Sequence, residues 1–316
     1  MGRIRFLNPF VKTLISGGIK ATYQHAELLR ELGFDAAVFQ PDGPPVWLSN
    51  QLQSLACDRL TAAAADVLVF PENLASSVAK FAQVRARKVM FCQNQFYLFS
   101  YGMDAKTCAD CGMIDFIVPG EVAKRALQSV LGLADVTVLP HYIDLSIFFP
   151  REKIMRIVTA PRKFPAHDGI PAHAALIRSM LALKYPHLAS VPWDLLEAKS
   201  EQQVAESMAR STVFLSLCKM EAFPLTPLEA MASGCVVVGH HGNGGLEYAS
   251  PENGFWFSPE QFEETVDALA AALDGIGRGD PKILALREAG IATAARFTRE
   301  RTKSALQQVY GELLRA

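Results

Sequence analysis

The sequence has almost no net charge: 31 basic residues stand against 32 acidic ones over 316 residues, leaving -1. No strong overall field draws such a chain to nucleic acid or an anionic membrane, so nucleic acid is not an expected partner and others must be read locally. An apolar run of about 18 residues is missing, and Met1-Gly-Arg-Ile-Arg-Phe-Leu7 has neither the apolar core nor the cleavage site of a signal peptide. The expected location is the cytoplasm. Cysteine is sparse, at 57, 92, 108, 111, 218 and 235, and several of these lie within apolar runs, as buried thiols do. That distribution excludes a secreted disulfide framework. Cys108-Ala-Asp-Cys111 has the spacing of a zinc or redox pair, yet no second pair or close histidine completes four ligands. Two ordinary thiols are the plainer reading, and no metal site is expected. Gly-x-Gly-x-x-Gly is absent too, which removes the dinucleotide fingerprint. Neither a solenoid period nor a low-complexity segment occurs.

What is present is apolar sequence in short pieces. Half of the residues are hydrophobic, enough to fill two cores in a chain long enough for two domains of about 150 residues. Arg3–Asn8 reads as a strand, Ser16-Gly17-Gly18 opens a helix running to about Leu32, and Asp35–Phe39 completes a βαβ unit. Strands are expected at 66–70, 88–92, 115–118 and 136–139, with a helix at 121–131. Turn residues at Pro140, Asp144 and Pro150 mark a link between domains at 1–150 and 151–298. The second half repeats the alternation, with strands at 156–160, 193–196, 213–217, 235–238 and 255–257. Helices are expected at 171–184, up to Arg210 from the capping box Ser200-Glu-Gln-Gln203, from Pro227, at 260–273 and 282–296, and at 299–315. Wholly apolar strands of four or five residues between helices indicate α/β architecture with parallel sheets covered on both faces.

Four stretches carry polar groups to the carboxyl ends of strands, where ligands collect in open α/β sheets. Gly17-Gly18 lets backbone approach a ligand, and the helix start favours an anion; a plain tight turn explains it equally. Arg162-Lys163 follows a strand and could neutralise a phosphate pair, or be a solvated loop. The third stretch, Glu221-Ala-Phe-Pro-Leu-Thr-Pro-Leu-Glu229, sets two acids eight residues apart. Glu221 reads as a loop residue, functional or merely exposed. Thr226-Pro-Leu-Glu229 reads as a capping box, with Thr226 as N-cap, so Glu229 either caps a helix or accepts vicinal hydroxyls such as those of a ribose. Gly242, Gly244 and Gly245, followed by Glu247, form a second glycine loop able to present N–H groups to phosphate or sugar oxygens.

Glu221-x7-Glu229, the following Ala-Met-Ala-Ser-Gly, the strand Val236-Val-Val and the loop Gly242-Asn-Gly-Gly-Leu-Glu247 together resemble the retaining GT-B glycosyltransferases of the GT4 family. In looser form the resemblance reaches Gly17-Gly18, Val138-Leu-Pro140, Ile143-Asp144, Phe148 and Arg162, and so spans most of the chain. It implies two Rossmann-like domains facing a cleft, the C-terminal one holding a nucleotide-diphosphate sugar, UDP- or GDP-linked, as co-substrate without a further cofactor. The helix at 299–316 would pack back on the N-terminal domain. By match to the motif, Glu229 would bind the ribose and Glu221 the transferred sugar, with Phe223, Pro224, Leu225 and Thr226 lining sugar and diphosphate beside Gly244 and Glu247. Arg162, with Lys163, would stabilise the leaving diphosphate, and Gly17-Gly18 would approach it from the other domain. The absence of Asp-x-Asp argues against the metal-dependent GT-A design. The acceptor is a saccharide, a lipid-linked saccharide or a small molecule, and the oligomeric state is open. A basic group at Arg85, Arg87 and Lys88 raises weak peripheral contact with the inner membrane surface, against the plainer reading of a solvated face.

The chain departs from the family in three places. Pro224 stands where a glycine is usual and removes a backbone donor. The second basic residue is adjacent to Arg162 instead of several positions on, where His167-Asp168 stands. An acceptor-side histidine is replaced within Cys92-Gln-Asn-Gln95. These departures leave two alternatives: a protein that binds sugar nucleotides without transfer, and a GT-B-like epimerase.

Overall fold

Each of these short apolar runs forms a strand, and each strand pairs parallel to its neighbours. The computed structural model describes residues 2–49, 52–161 and 172–315, and the chain divides into two units, Met1–Tyr142 with Arg299–Ala316 and Ile143–Thr298. In the first, β1 (Ile4–Leu7), β2 (Ala36–Phe39), β3 (Val67–Pro71), β4 (Arg87–Phe91), β5 (Met113–Val118) and β6 (Val136–Val138) run in the order β2-β1-β3-β4-β5-β6. In the second, β7 (Ile154–Thr159), β8 (Trp193–Leu195), β9 (Ser211–Glu221), β10 (Val236–Asn243) and β11 (Phe255–Phe257) run β11-β10-β9-β7-β8. The winding is the same in both: the second strand lies on one side of the first and the later strands on the other. The chain therefore leaves β1 and β3, and likewise β7 and β9, in opposite directions, which opens a crevice at their carboxyl ends.

The helices cover both faces, as the apolar strands require. They are α1 (Gly17–Glu31), α2 (Gln95–Ser100), α3 (Ala105–Asp110), α4 (Glu121–Leu131), α5 (His173–Lys184), α6 (Glu201–Arg210), α7 (Leu225–Ala232), α8 (Phe262–Arg278), α9 (Pro281–Ala294) and α10 (Arg299–Leu313). In the second sheet the side chains alternate. Val213, Leu215, Val236 and Val238 pack with Ile177, Leu181 and Leu269 on one face, and Phe214 and Val237 pack with Leu228, Met231 and Ala294 on the other. In the first unit, Leu306 and Tyr310 of α10 enter the core beside Phe6, and Thr302 bonds the Pro140 carbonyl at 2.9 Å. Ser200 and Gln203 form the expected capping box on α6.

Two short helices, α2 and α3, were not legible from apolar spacing because six residues give too little periodicity. Their caps carried the signal: Asn94 accepts from the Phe96 N–H at 3.0 Å and Asp104 from the Thr107 N–H at 2.6 Å. The basic group at 85–88 does not form one exposed patch. Arg87 turns inward to Asp115 at 2.6 Å, and Lys88 is buried with its ammonium on the Val84 carbonyl at 2.7 Å, which leaves Arg85 exposed. No described helix is long and apolar enough to cross a membrane. Cys108 and Cys111 are buried free thiols, Cys108 is pushed up to about 11 by burial, and no metal-binding group occurs among the described residues.

Lys153 ties the second unit together at the amino edge of its sheet. Its ammonium donates to the carbonyls of Met208 at 3.2 Å, Ser211 at 2.8 Å and Ser233 at 2.5 Å, at the ends of α6 and α7 and the start of β9. The Met208 carbonyl also accepts the Ser211 N–H and the Cys235 thiol, and the ammonium adds to these bonds by joining the ends of two helices to the start of a strand. Replacing Lys153 by Met keeps the stem and removes the ammonium that joins the three carbonyls. Lys153→Met should lower the stability of this unit by about 2–3 kcal/mol, read from denaturant unfolding.

Candidate functional site

The site builds from the crevice between β7 and β9. β9 is longer than its apolar run suggests and carries Glu221 as its last residue, paired in register with Asn243 of β10. Glu221 therefore ends a strand instead of sitting in a loop. The residue before it, Met220, is forced to φ 48°, a left-handed conformation costing a branched or long side chain roughly 1–2 kcal/mol. Strain of this kind persists where neighbours dictate the backbone, and here the neighbour is the loop after β10.

That loop lies directly on the Glu221–Pro224 turn. A Cβ on Gly244 would sit 2.1 Å from the Ala222 carbonyl oxygen, so only glycine allows the two backbones to meet. Gly242, at φ 63°, would bring a Cβ within 2.8 Å of Cys218. The chain then makes a 3-10 turn, Gly244–Glu247, and delivers Tyr248 beneath the Pro224 carbonyl, to which its hydroxyl donates at 2.7 Å. Phe223, Trp256 and Phe297 close edge-on around the Tyr248 ring at 5.8, 6.2 and 6.2 Å. Burial pushes the Tyr248 phenol well above its ordinary value, and Cys218, Glu221 and Glu229 add to the push. The phenol thus remains a donor throughout the working range, and both acids act on it.

α7 starts earlier than a capping box at Thr226 requires. Pro224 is the N-cap, Leu225 the first helical residue, and no side chain caps the helix. Glu229 consequently lies in the second turn, at 5% exposure, and does not serve the helix end. A carboxylate buried away from the cap must be compensated by hydrogen bonding, and helix capping does not account for it. The open N–H groups at the start of α7 belong to Leu225 and Thr226, since Pro227 has none. Leu225 is buried, while the half-exposed Thr226 hydroxyl lies 3.9 Å from Cys218 Sγ. Glu247 is half-buried at the end of the glycine turn.

Histidines line the same sheet edge. His173 opens α5, and His240 and His241 are on β10. Burial, with smaller contributions from His173 and His241, pushes His240 to about 4; His173 and His241 are also lowered, burial being the main cause in both. All three are neutral rings at neutral pH. Of the basic candidates, Arg162 and Lys163 lie outside the described residues, as do His167 and Asp168.

Gly17 and Gly18 belong to the first unit and open α1, with Ser16 as N-cap accepting from the Gly18 N–H at 3.3 Å. Gly17 is exposed and Gly18 half-buried. The glycine loop and the acid pair, read together in the sequence, form one structure in the second unit. Tyr248 and the histidine edge were missed. The His240-His241 doublet was visible after its strand, but only the parallel neighbour β9 gives it meaning.

Comparison with known proteins agrees with this geometry. Residues 189–280 match the model of the family Glycosyl transferases group 1. An α-1,6-glucosyltransferase of Actinobacillus pleuropneumoniae serotype 7 (strain AP76) is 26% identical over 324 aligned positions, covering 96% of this chain and 93% of the relative. Among solved structures, sucrose-phosphate synthase of Thermosynechococcus elongatus superposes with TM-score 0.71 at 13% identity, covering 99% of each chain. A glycosyltransferase of Rickettsia africae ESF-5 gives TM-score 0.69 at 14% identity, covering 99% of this chain and 98% of the other. These structures share the fold, two parallel sheets in the GT-B arrangement of α/β layers. The buried acid on α7, the strand-end acid on β9 and the glycine turn all lie within the segment that matches the glycosyl transferases group 1 model, and nearly the whole chain is similar to a glycosyltransferase.

Proposed function

We propose that Glu229 holds the ribose of the donor and Glu221 the sugar being transferred, while Phe223–Thr226, Gly244 and Glu247 line the sugar and diphosphate. The observation that carries this reading is the position of Glu229. It is buried in the second turn of α7, away from the uncapped helix start, so helix capping does not account for it. Two hydroxyls on adjacent carbons would give its carboxylate paired charge-assisted bonds. Gly17 and Gly18, at the start of α1, offer backbone to a phosphate, and Arg162 with Lys163 supplies positive charge to the leaving diphosphate. Stabilising the charge that grows on the departing phosphate is the largest available gain in such a reaction.

In the step itself the bond from the anomeric carbon to the diphosphate oxygen breaks, and a bond from the acceptor oxygen forms on the same face. The acceptor proton passes to the departing phosphate oxygen, and configuration is retained. Pro224 has no N–H to offer, and its carbonyl is occupied by Tyr248, so this turn recognises the sugar through Glu221 and the glycine loop. The relative named for α-1,6-glucosyl transfer makes a nucleotide-diphosphate glucose and a saccharide hydroxyl the first pair to assay.

Release of free nucleoside diphosphate from a panel of UDP-, GDP- and ADP-sugars, with saccharide acceptors present, tests the donor assignment. Glu229→Ala should weaken nucleoside diphosphate binding about 10- to 100-fold by calorimetry, the loss of a charge-assisted pair. Glu221→Gln should leave that binding within about twofold and lower kcat about 100-fold, since its contact is with the reacting sugar. Equal losses of thermal stability in both variants, with no separation of binding from turnover, would return both acids to a structural role.

A further inference from the structure

The first unit has its own acid at the place where the second has Glu221. Glu72 directly follows β3, which lies beside β1 as β9 lies beside β7, so it too stands at the carboxyl end of a strand flanking the crevice. It is 7% exposed. Its Oε2 accepts the Gln93 N–H at 3.0 Å, and the Asn94 and Glu72 N–H groups also bond the carboxylate. These amides belong to the turn after β4 that leads into α2.

The same turn reaches α1 through a side chain. Gln93 Nε2 donates to the Gly18 carbonyl at 3.0 Å and to Thr22 Oγ1 at 3.3 Å, while Thr22 donates to that carbonyl at 2.9 Å. The contact is close, since a Cβ on Gly18 would sit 3.4 Å from the Gln93 amide. Next along, the Gln95 carboxamide is fully buried with neither atom partnered among the described residues. A turn carrying a buried acid and an unpaired buried amide is held at a cost to stability, and such costs gather at functional positions.

We propose that Glu72 is a positioning residue for sugar transfer: its buried carboxylate fixes the turn at 93–95, which through the Gln93 side chain fixes the first turn of α1 at Gly17 and Gly18. The chain of contacts is continuous from acid to glycine turn. A neutral glutamine at position 72 could accept one of the turn's amides, but its NH2 would face another donor. The charge is what lets one side chain hold several N–H groups at once. This inference rests on the reading that Gly17 and Gly18 meet the donor phosphate.

Burial raises the Glu72 carboxyl to about 7 against the pull of those amides, and the titratable group that feels it is the Cys92 thiol, pushed well up by burial first and Glu72 second. The folded state therefore holds this proton more tightly than the unfolded chain does. The resulting stabilisation is complete below about 4.5 and is lost as pH rises through about 7. Charged Glu72 costs stability at the pH where it acts.

The test uses the full chain with three variants: Glu72→Gln, Gln93→Met and Gly17→Asp. Hydrogen exchange by mass spectrometry at pH 8 reads the turns directly, and turnover is followed with whichever of UDP-, GDP- or ADP-glucose the wild type uses. Glu72→Gln should speed exchange several-fold across 17–25 and 92–97 and lower kcat/KM at least tenfold. Its Tm should fall less between pH 5 and pH 8 than that of the wild type. Gln93→Met should reproduce the faster exchange at 17–25 and the lost turnover while keeping the wild-type dependence of Tm on pH. Unchanged exchange across 17–25 in Glu72→Gln overturns the inference. So does a loss of activity tracking a uniform loss of Tm at every pH, the signature of a merely structural acid. Gly17→Asp separates the two readings by placing a carboxylate where phosphate is expected. If it leaves turnover intact, the phosphate reading of the glycine turn fails; if it abolishes turnover while Glu72→Gln does not lower it, Glu72 has no positioning role.

Discussion

The contact on which the second unit's site depends is between two backbones, that of Gly244 and that of Ala222. Parallel pairing of β9 with β10 brings their carboxyl ends side by side, and the next few residues of each strand must share the same space. Glycine at 242 and 244 makes this possible, and the strained Met220 is where the other strand yields. Tyr248 then locks the arrangement by bonding the Pro224 carbonyl from beneath. Any side chain at 244 would push the glycine turn away from the Glu221–Ala222 backbone.

This packing also sets the electrostatics. The rigid turn holds two acids near one permanently protonated phenol, and the neighbouring histidines are uncharged because burial denies them protons. On the proposed reading, a sugar hydroxyl at this edge and a ribose at Glu229 would meet acceptors on firm supports. Rigid acceptors lose little freedom on binding, so more of each hydrogen bond survives as net binding energy. The common winding of the two units extends the theme, since each places an acid at the carboxyl end of the strand beside its crevice. Glu72 faces inward and organises backbone, whereas Glu221 ends its strand half-buried.

Much of the fold was legible in the sequence. Short apolar strands between amphipathic helices can satisfy both faces only in covered parallel sheets, and the runs at 4–7, 36–39 and 236–238 left no other reading. The elements that escaped, α2 and α3, are too short for periodicity to show. Of the site, spacing singled out Glu221, Glu229 and the glycine loop, because a carboxylate pair and a cluster of glycines are unusual in an apolar stretch. The helix start was misread, for Thr-Pro-x-Glu has the composition of a capping box whether or not the chain bends there.

Local pattern sets the alternation of strands and helices and the residue types available at the strand ends. Tertiary structure decided which of them meet. Glu229 became a buried group once Pro224 took over the helix start, Tyr248 joined the acids through a contact 24 positions away in the chain, and Arg87 and Lys88 turned inward to partners that no local pattern discloses. The physical reason is that a strand's own side chains dictate only that it is covered. What lies against its carboxyl end is set by the order of strands in the sheet, and that order arises from packing the whole unit.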